Sequence, residues 1–282
     1  MDRDSLNVTK LQFVKRIPKQ NLSRFKGESL YVKSISTFSN NEVLLAVDNA
    51  ALRVLSLVTE QLRFIIARDI AIQNVRRVAF DLHTDTLLLL MSDTSKYELV
   101  TLRRNASNTS EWLQVQRIST HILVTKYIYI AVCDSRVLLA ESEKRRVYIF
   151  NVSAERTVSA TSYVIADTIY GLACIPRDNF TLVAVSHSQS VSLHRPEQLA
   201  RVVLTNPREL VFYKELLLVA HWNSTNGSDA VVSLRASGGA LTEKRELLAA
   251  GVNVCVGAWA LAGDQLVLWN TSSQDLLVYA FQ

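Results

Sequence analysis

Val137-Leu138-Leu139-Ala140-Glu141-Ser142-Glu143-Lys144-Arg145-Arg146-Val147-Tyr148-Ile149-Phe150 is two short apolar runs joined by a polar turn. Each run is four residues long, the length of a strand and too short for a helix of about 10–12 residues. The same pattern recurs five more times. Leu44-Leu45 leads to Leu52-Arg53-Val54-Leu55, Leu88-Leu89 to Tyr97-Glu98-Leu99-Val100, Leu182-Val183 to Val191-Ser192-Leu193, Leu217-Leu218 to Val231-Val232, and Leu266-Val267 to Leu276-Leu277. From Leu44 through Leu88, Leu138, Leu182 and Leu217 to Leu266 the steps are 44, 50, 44, 35 and 49 residues. Self-similarity at this period marks a repeat architecture.

The first run of each pair is nearly continuous in apolar residues, which implies burial on both faces. The second is mixed. A further apolar stretch precedes each pair, such as Ile128-Tyr129-Ile130-Ala131-Val132, and a fourth follows in several copies, such as Leu62-Arg63-Phe64-Ile65-Ile66. Four strands in about 40–50 residues is a propeller blade. The expected fold is therefore all-β: a six-bladed β-propeller of four-stranded blades in one domain, with seven blades the less favoured count. Blades are expected near 31–70, 75–118, 122–165, 169–205, 210–249 and 252–282. The last copy lacks its fourth strand. Leu11-Gln12-Phe13-Val14-Lys15-Arg16-Ile17 supplies a candidate, which would close the ring and cover the sheet edges.

The stretch from Val137 to Asn151 resembles the core of an NHL-type repeat, in which a small acidic turn and a basic residue precede the third strand. Ile169-Tyr170-Gly171-Leu172-Ala173 resembles that repeat's innermost strand. The other copies lack the acidic turn with its basic residue. The Trp-Asp and Gly-His pairs of ordinary WD repeats are absent. The resemblance implies a divergent, NHL-like or WD-repeat-like propeller, and it brings RNA binding in as an alternative function.

The net charge is +5. Residues 1–33 hold eight Lys/Arg against three Asp/Glu, and the other 249 residues hold 23 of each sign. The excess is thus amino-terminal, in Lys10, Lys15, Arg16, Lys19, Arg24 and Lys26, and is not the footprint of a basic propeller face. No stretch of about 18 apolar residues suggests a membrane span.

Cys133, Cys174 and Cys255 each fall in or near an expected innermost strand. Three cysteines without local pairing read as buried free thiols, which fits a reducing compartment and an intracellular chain in cytoplasm or nucleus. Against this, nine of the fifteen asparagines lie in Asn-x-Ser/Thr sequons. Roughly two or three are expected if the positions were independent. Turn chemistry, which concentrates Asn, Ser and Thr, is the favoured explanation.

No phosphate-binding glycine loop, His-Glu-x-x-His or Cys-x-x-Cys is present. The expected inner strands are apolar apart from Arg76 and Arg77. No catalytic residues, metal ligands or cofactor are therefore expected. A protein-interaction scaffold, as a subunit or adaptor of a complex, is the leading reading. An RNA-binding propeller and a propeller hydrolase or lyase are the alternatives, with nucleic acid not favoured as a partner. The turns between second and third strands offer Glu141, Glu143, His187, His221 and Trp222, beside Asp48 and Asp93. His187 and His221 fall at equivalent turns, and Trp222 reads as the anchor of a long polar loop, His221 to Asp229.

Overall fold

A computed structural model describes residues 8–22, 31–47, 51–67, 74–92, 95–123, 127–153, 157–177, 180–195, 197–224, 227–237, 239–248 and 254–282. The chain opens with β1 (Leu11–Pro18) and a single helical turn, α1 (Lys19–Leu22). Blade 1 follows as β2 (Val32–Ser39), β3 (Glu42–Val47), β4 (Ala51–Ser56) and β5 (Leu62–Phe64). The short β6 (Ile66–Ala67) crosses to blade 2, which is β7 (Val75–Asp81), β8 (Thr86–Ser92), β9 (Lys96–Asn105) and β10 (Asn108–Leu123). Blade 3 is β11 (Ile128–Cys133), β12 (Arg136–Glu141), β13 (Arg146–Val152) and β14 (Thr157–Val164). Blade 4 is β15 (Gly171–Arg177), β16 (Phe180–Ser186), β17 (Ser190–His194) and β18 (Gln198–Val203). Blade 5 is β19 (Pro207–Tyr213), β20 (Leu216–Asn223), β21 (Ser228–Ser237) and β22 (Ala240–Leu248). Blade 6 is β23 (Val256–Ala262), β24 (Gln265–Asn270) and β25 (Asp275–Phe281), completed by β1.

Within each blade the strands meander antiparallel from the axis outward. The exception is β6, which adds to β10 in parallel through Glu111↔Ile66 and Trp112↔Ala67. The second strands are the most deeply buried: all seven residues of β8 are buried. Each blade interface holds its own apolar cluster. That between blades 6 and 1 includes Ile17, Val43, Leu45 and Trp269, and that between blades 3 and 4 includes Leu138, Val147, Val183 and Val185. The core is therefore a ring of six interlayer cores around an axis.

Ring closure falls where the sequence places it. β1 pairs with β25 from Leu11↔Phe281 to Pro18↔Asp275. Its register slips between Phe13 and Lys15, leaving Val14 as an extra residue. A bulge of this kind exchanges the two faces of a strand. Leu11 accordingly packs toward blade 5, and Ile17 packs between blades 6 and 1.

One expectation is overturned. Cys133, at the end of β11, and Cys174, in the middle of β15, form a disulfide with Cα atoms 6.0 Å apart. They lie 41 residues apart in sequence, but adjacent inner strands bring them to one height on the axis. Only Cys255 is a free thiol.

Candidate functional site

The first strands all run the same way, so their starts converge at one mouth of the central channel. The turns between second and third strands and the connections between blades share this upper face. Three tyrosines, Tyr31, Tyr127 and Tyr170, stand immediately before β2, β11 and β15, with relative exposures of 44%, 53% and 38%. Their main chains are still held: the Tyr170 N–H donates to the Ser186 carbonyl at 2.8 Å and the Tyr127 carbonyl accepts from the Ser142 N–H at 3.4 Å.

Two arginines near the starts of other inner strands, Arg76 in blade 2 and Arg208 in blade 5, join these rings. Arg76 is exposed and donates to Ser92 Oγ at 3.0 Å. Arg208 is exposed, its guanidinium 5.0 Å from the centre of the Trp222 ring. Arg77 turns inward instead. Its Nη1 donates to the Lys33 carbonyl of blade 1 at 2.9 Å and its Nε to the Ile128 carbonyl of blade 3 at 3.3 Å. One guanidinium thereby ties three blades together, with its carbon 5.7 Å from the Tyr129 ring centre.

Below this collar lies a void of about 80 Å³, lined by Arg77, Tyr129, Glu209 and Trp259 among others. Burial pushes the Glu209 carboxyl above its ordinary range, against the pull of Arg77. Burial, and then the Glu209 charge, raise the Tyr129 hydroxyl well above an ordinary phenol. Arg208 and Glu209 escaped the sequence reading because β19 begins at Pro207, three residues before its apolar run. A first strand position suits proline, which has no N–H to give to a ladder.

At the opposite mouth is a cavity of about 400 Å³, lined by Ile35, Val78, Leu82, His83, Ile130 and Asp134 with others. Among the described residues, no group of three or more His, Cys, Asp or Glu is arranged to hold a metal ion.

The residues singled out from sequence scatter. Trp222 is a strand residue, not a loop residue: it pairs with Asp229 in β20–β21 and is half-buried under Arg208. The ladder takes in His221, Trp222 and Asn223 on one side and Ser228 and Asp229 on the other, so the expected nine-residue loop shrinks to the few residues between Asn223 and Ser228. His221 is also in β20, paired with Ala230. Burial lowers its pKa.

His187 is buried, and burial lowers its pKa too. Its Nδ1 donates to the Thr168 carbonyl at 3.1 Å, so its Nε2 accepts from the Ser192 hydroxyl at 2.6 Å. Ser192 Oγ in turn accepts from His194 Nε2 at 2.7 Å. Both histidine rings are thus engaged inside blade 4, and His187 is no part of the open rim.

Glu141 is fully buried, accepting from Tyr148 Oη at 3.2 Å with Lys144 Nζ 3.1 Å away. Glu143 is exposed on the turn. Asp48 and Asp93 lie outside the described residues.

The basic amino-terminal residues act as braces. Lys15 donates to Glu60 Oε1 at 2.9 Å and to the Leu57 carbonyl, Arg16 pairs with Asp275, and Lys19 donates to Gln274 Oε1 at 2.6 Å. Lys10 is exposed, with its main chain bonded to Gln282. Arg24 and Lys26 lie outside the described residues.

No family model and no curated protein matches the chain. Solved structures do share its architecture. A chain from the crystal structure of the mitotic checkpoint complex superposes with a TM-score of 0.61 at 14% identity, covering 90% of this chain and 76% of that one. The PQQ-bound aldose sugar dehydrogenase of Streptomyces coelicolor gives 0.64 at 11% identity, covering 97% and 98%. A glucose dehydrogenase gives 0.64 at 10%, covering 97% and 99%. At such identities the likeness shows the fold alone, and the chain is a six-bladed β-propeller.

Proposed function

We propose that the protein is a non-catalytic protein-interaction module that receives a partner on its upper collar. The observation that carries this reading is the exposed set Tyr31, Tyr127 and Tyr170, together with Arg76 and with Arg208 over Trp222. Tyrosine, tryptophan and arginine are the side chains that dominate binding energy at protein interfaces. Their rings offer large contact area at small conformational cost. The likeness to a chain of the mitotic checkpoint complex supports the reading only through shared fold.

The test is partner capture from native cells, with wild type beside Tyr127→Ala/Tyr170→Ala. The double variant should lose about 30-fold or more in partner affinity, the hot-spot range, with an unchanged melting temperature. Equal capture by both proteins would remove the collar as the site. Capture that disappears with nuclease and falls steeply with salt would transfer the collar to single-stranded RNA, which also stacks on aromatic rings.

A second reading is enzymatic and rests on the cavity at the other mouth. Its volume of about 400 Å³ falls in the range of small-molecule pockets, and two proteins of similar fold are dehydrogenases. A compound that raises the melting temperature of wild type but not of Val132→Trp, which fills that cavity, would favour it.

A further inference from the structure

We infer that Asn151 is an acceptor for an asparagine-linked glycan, and that the folded chain works in an oxidising compartment. Two independent observations converge on this. The first is the sequon frequency: nine of fifteen asparagines, against roughly two or three by chance. Turn composition is the competing explanation, and the reading of all three cysteines as free thiols in a reducing compartment weighs on its side. The second observation removes that support: Cys133 and Cys174 are disulfide-bonded across two blades. Such bonds persist in secreted and lumenal proteins and are rare where glutathione keeps thiols reduced.

The structure then sorts the sequons by chemistry. Asn270 is buried, and its Oδ1 accepts the Cys255 N–H at 3.0 Å and the Ser272 N–H at 3.1 Å. A glycan there is incompatible with the folded blade. Asn105 is half-buried, with Oδ1 accepting from the Ser107 N–H at 3.0 Å. Asn151 differs: it is exposed near the end of β13, two residues before Ser153. Asn21, on α1, is exposed as well.

The modification forms a bond between Asn151 Nδ2 and the anomeric carbon of a polyprenyl-diphosphate-linked oligosaccharide. The diphosphate leaves and the amide loses a proton. The sequon hydroxyl, on Ser153, is the feature the transferase requires. The disulfide forms when the two thiols pass two electrons and two protons to a disulfide-bearing oxidant.

The experiment uses the native protein, extracted into N-ethylmaleimide and divided. One half is treated with a peptide N-glycosidase in ¹⁸O-water and analysed by peptide mass spectrometry. The Asn151 peptide should appear as ¹⁸O-labelled aspartate and the Asn270 peptide as unmodified asparagine. In the other half, maleimide should occupy only Cys255 before reduction, and Cys133 and Cys174 should become available after it. Recovery of Asn151 as plain asparagine overturns the acceptor site. Labelling of all three cysteines before reduction overturns the compartment. Neither result bears on the collar, whose test is partner capture.

Discussion

Substituting Ile17 by alanine tests whether the ring is closed by β1. Ile17 is wholly inaccessible and sits in the cluster between blades 6 and 1, with Leu22, Val43, Leu45, Leu276 and Val278. Removing three buried carbons from such a site costs about 2–5 kcal/mol, through lost transfer energy plus the cavity left behind. A chain of this size shifts its melting temperature by about 2–4 °C per kcal/mol. Ile17→Ala should therefore melt roughly 4–20 °C lower. Val14, three residues earlier, is the bulged residue and is 45% exposed. Val14→Ala should stay within about 0.5 kcal/mol of wild type. Both variants are compared by calorimetry at one protein concentration. An unchanged Ile17→Ala, or a Val14→Ala that loses as much, would refute the pairing of β1 with β25 and the face exchange at the bulge.

Gly171→Ala should destabilise by about 1–3 kcal/mol or more, read by thermal melting, because a Cβ there would lie 1.9 Å from the Arg208 carbonyl oxygen and 2.6 Å from Ser186 Oγ. Cys133→Ser/Cys174→Ser should cost about 4 kcal/mol, the chain-entropy value for a closed loop of this length, and wild type should lose a similar amount in reductant. Burial holds the His187 pKa below its unfolded value, so its contribution to stability is complete above pH ~6.5 and is lost as pH falls from there toward the folded pKa. His187→Gln should flatten the melting-temperature profile between about pH 7 and 5; an unaltered slope would show that another group sets it.

The blades were legible because each second strand is buried on both sides and so carries an uninterrupted apolar run, as in Leu87 to Met91. The closing strand was legible because the last blade came up one strand short. What escaped is whatever depends on one blade meeting the next. The Cys133–Cys174 bond joins residues that no spacing rule relates, since only the ring places their strands side by side. Trp222 lies in a strand because polar residues do not end β20: its ladder with β21 continues through Asn223↔Ser228. The collar escaped for a similar reason. Tyr31, Tyr127 and Tyr170 lie in separate copies, and their kinship is one of position at the axis, not of sequence. Lys15, Arg16 and Lys19 read as a charge cluster, but each had a particular acceptor waiting on a neighbouring strand or turn.

The pairing of β1 with β25 also imposes a timetable on synthesis. The partners of the closing strand lie about 260 residues downstream. At roughly 5–20 residues per second, β1 emerges from the ribosome some 13–50 s before it has anything to pair with. During that interval its apolar residues Leu11, Phe13 and Ile17 are open to any other unfinished edge. At high ribosome density that edge is the sixth blade of a chain just ahead on the same message. A β1 that closes the wrong ring would produce an exchanged dimer with every native contact intact. Fidelity of assembly therefore rests on keeping one eight-residue strand unoccupied until its own carboxyl-terminal blade arrives.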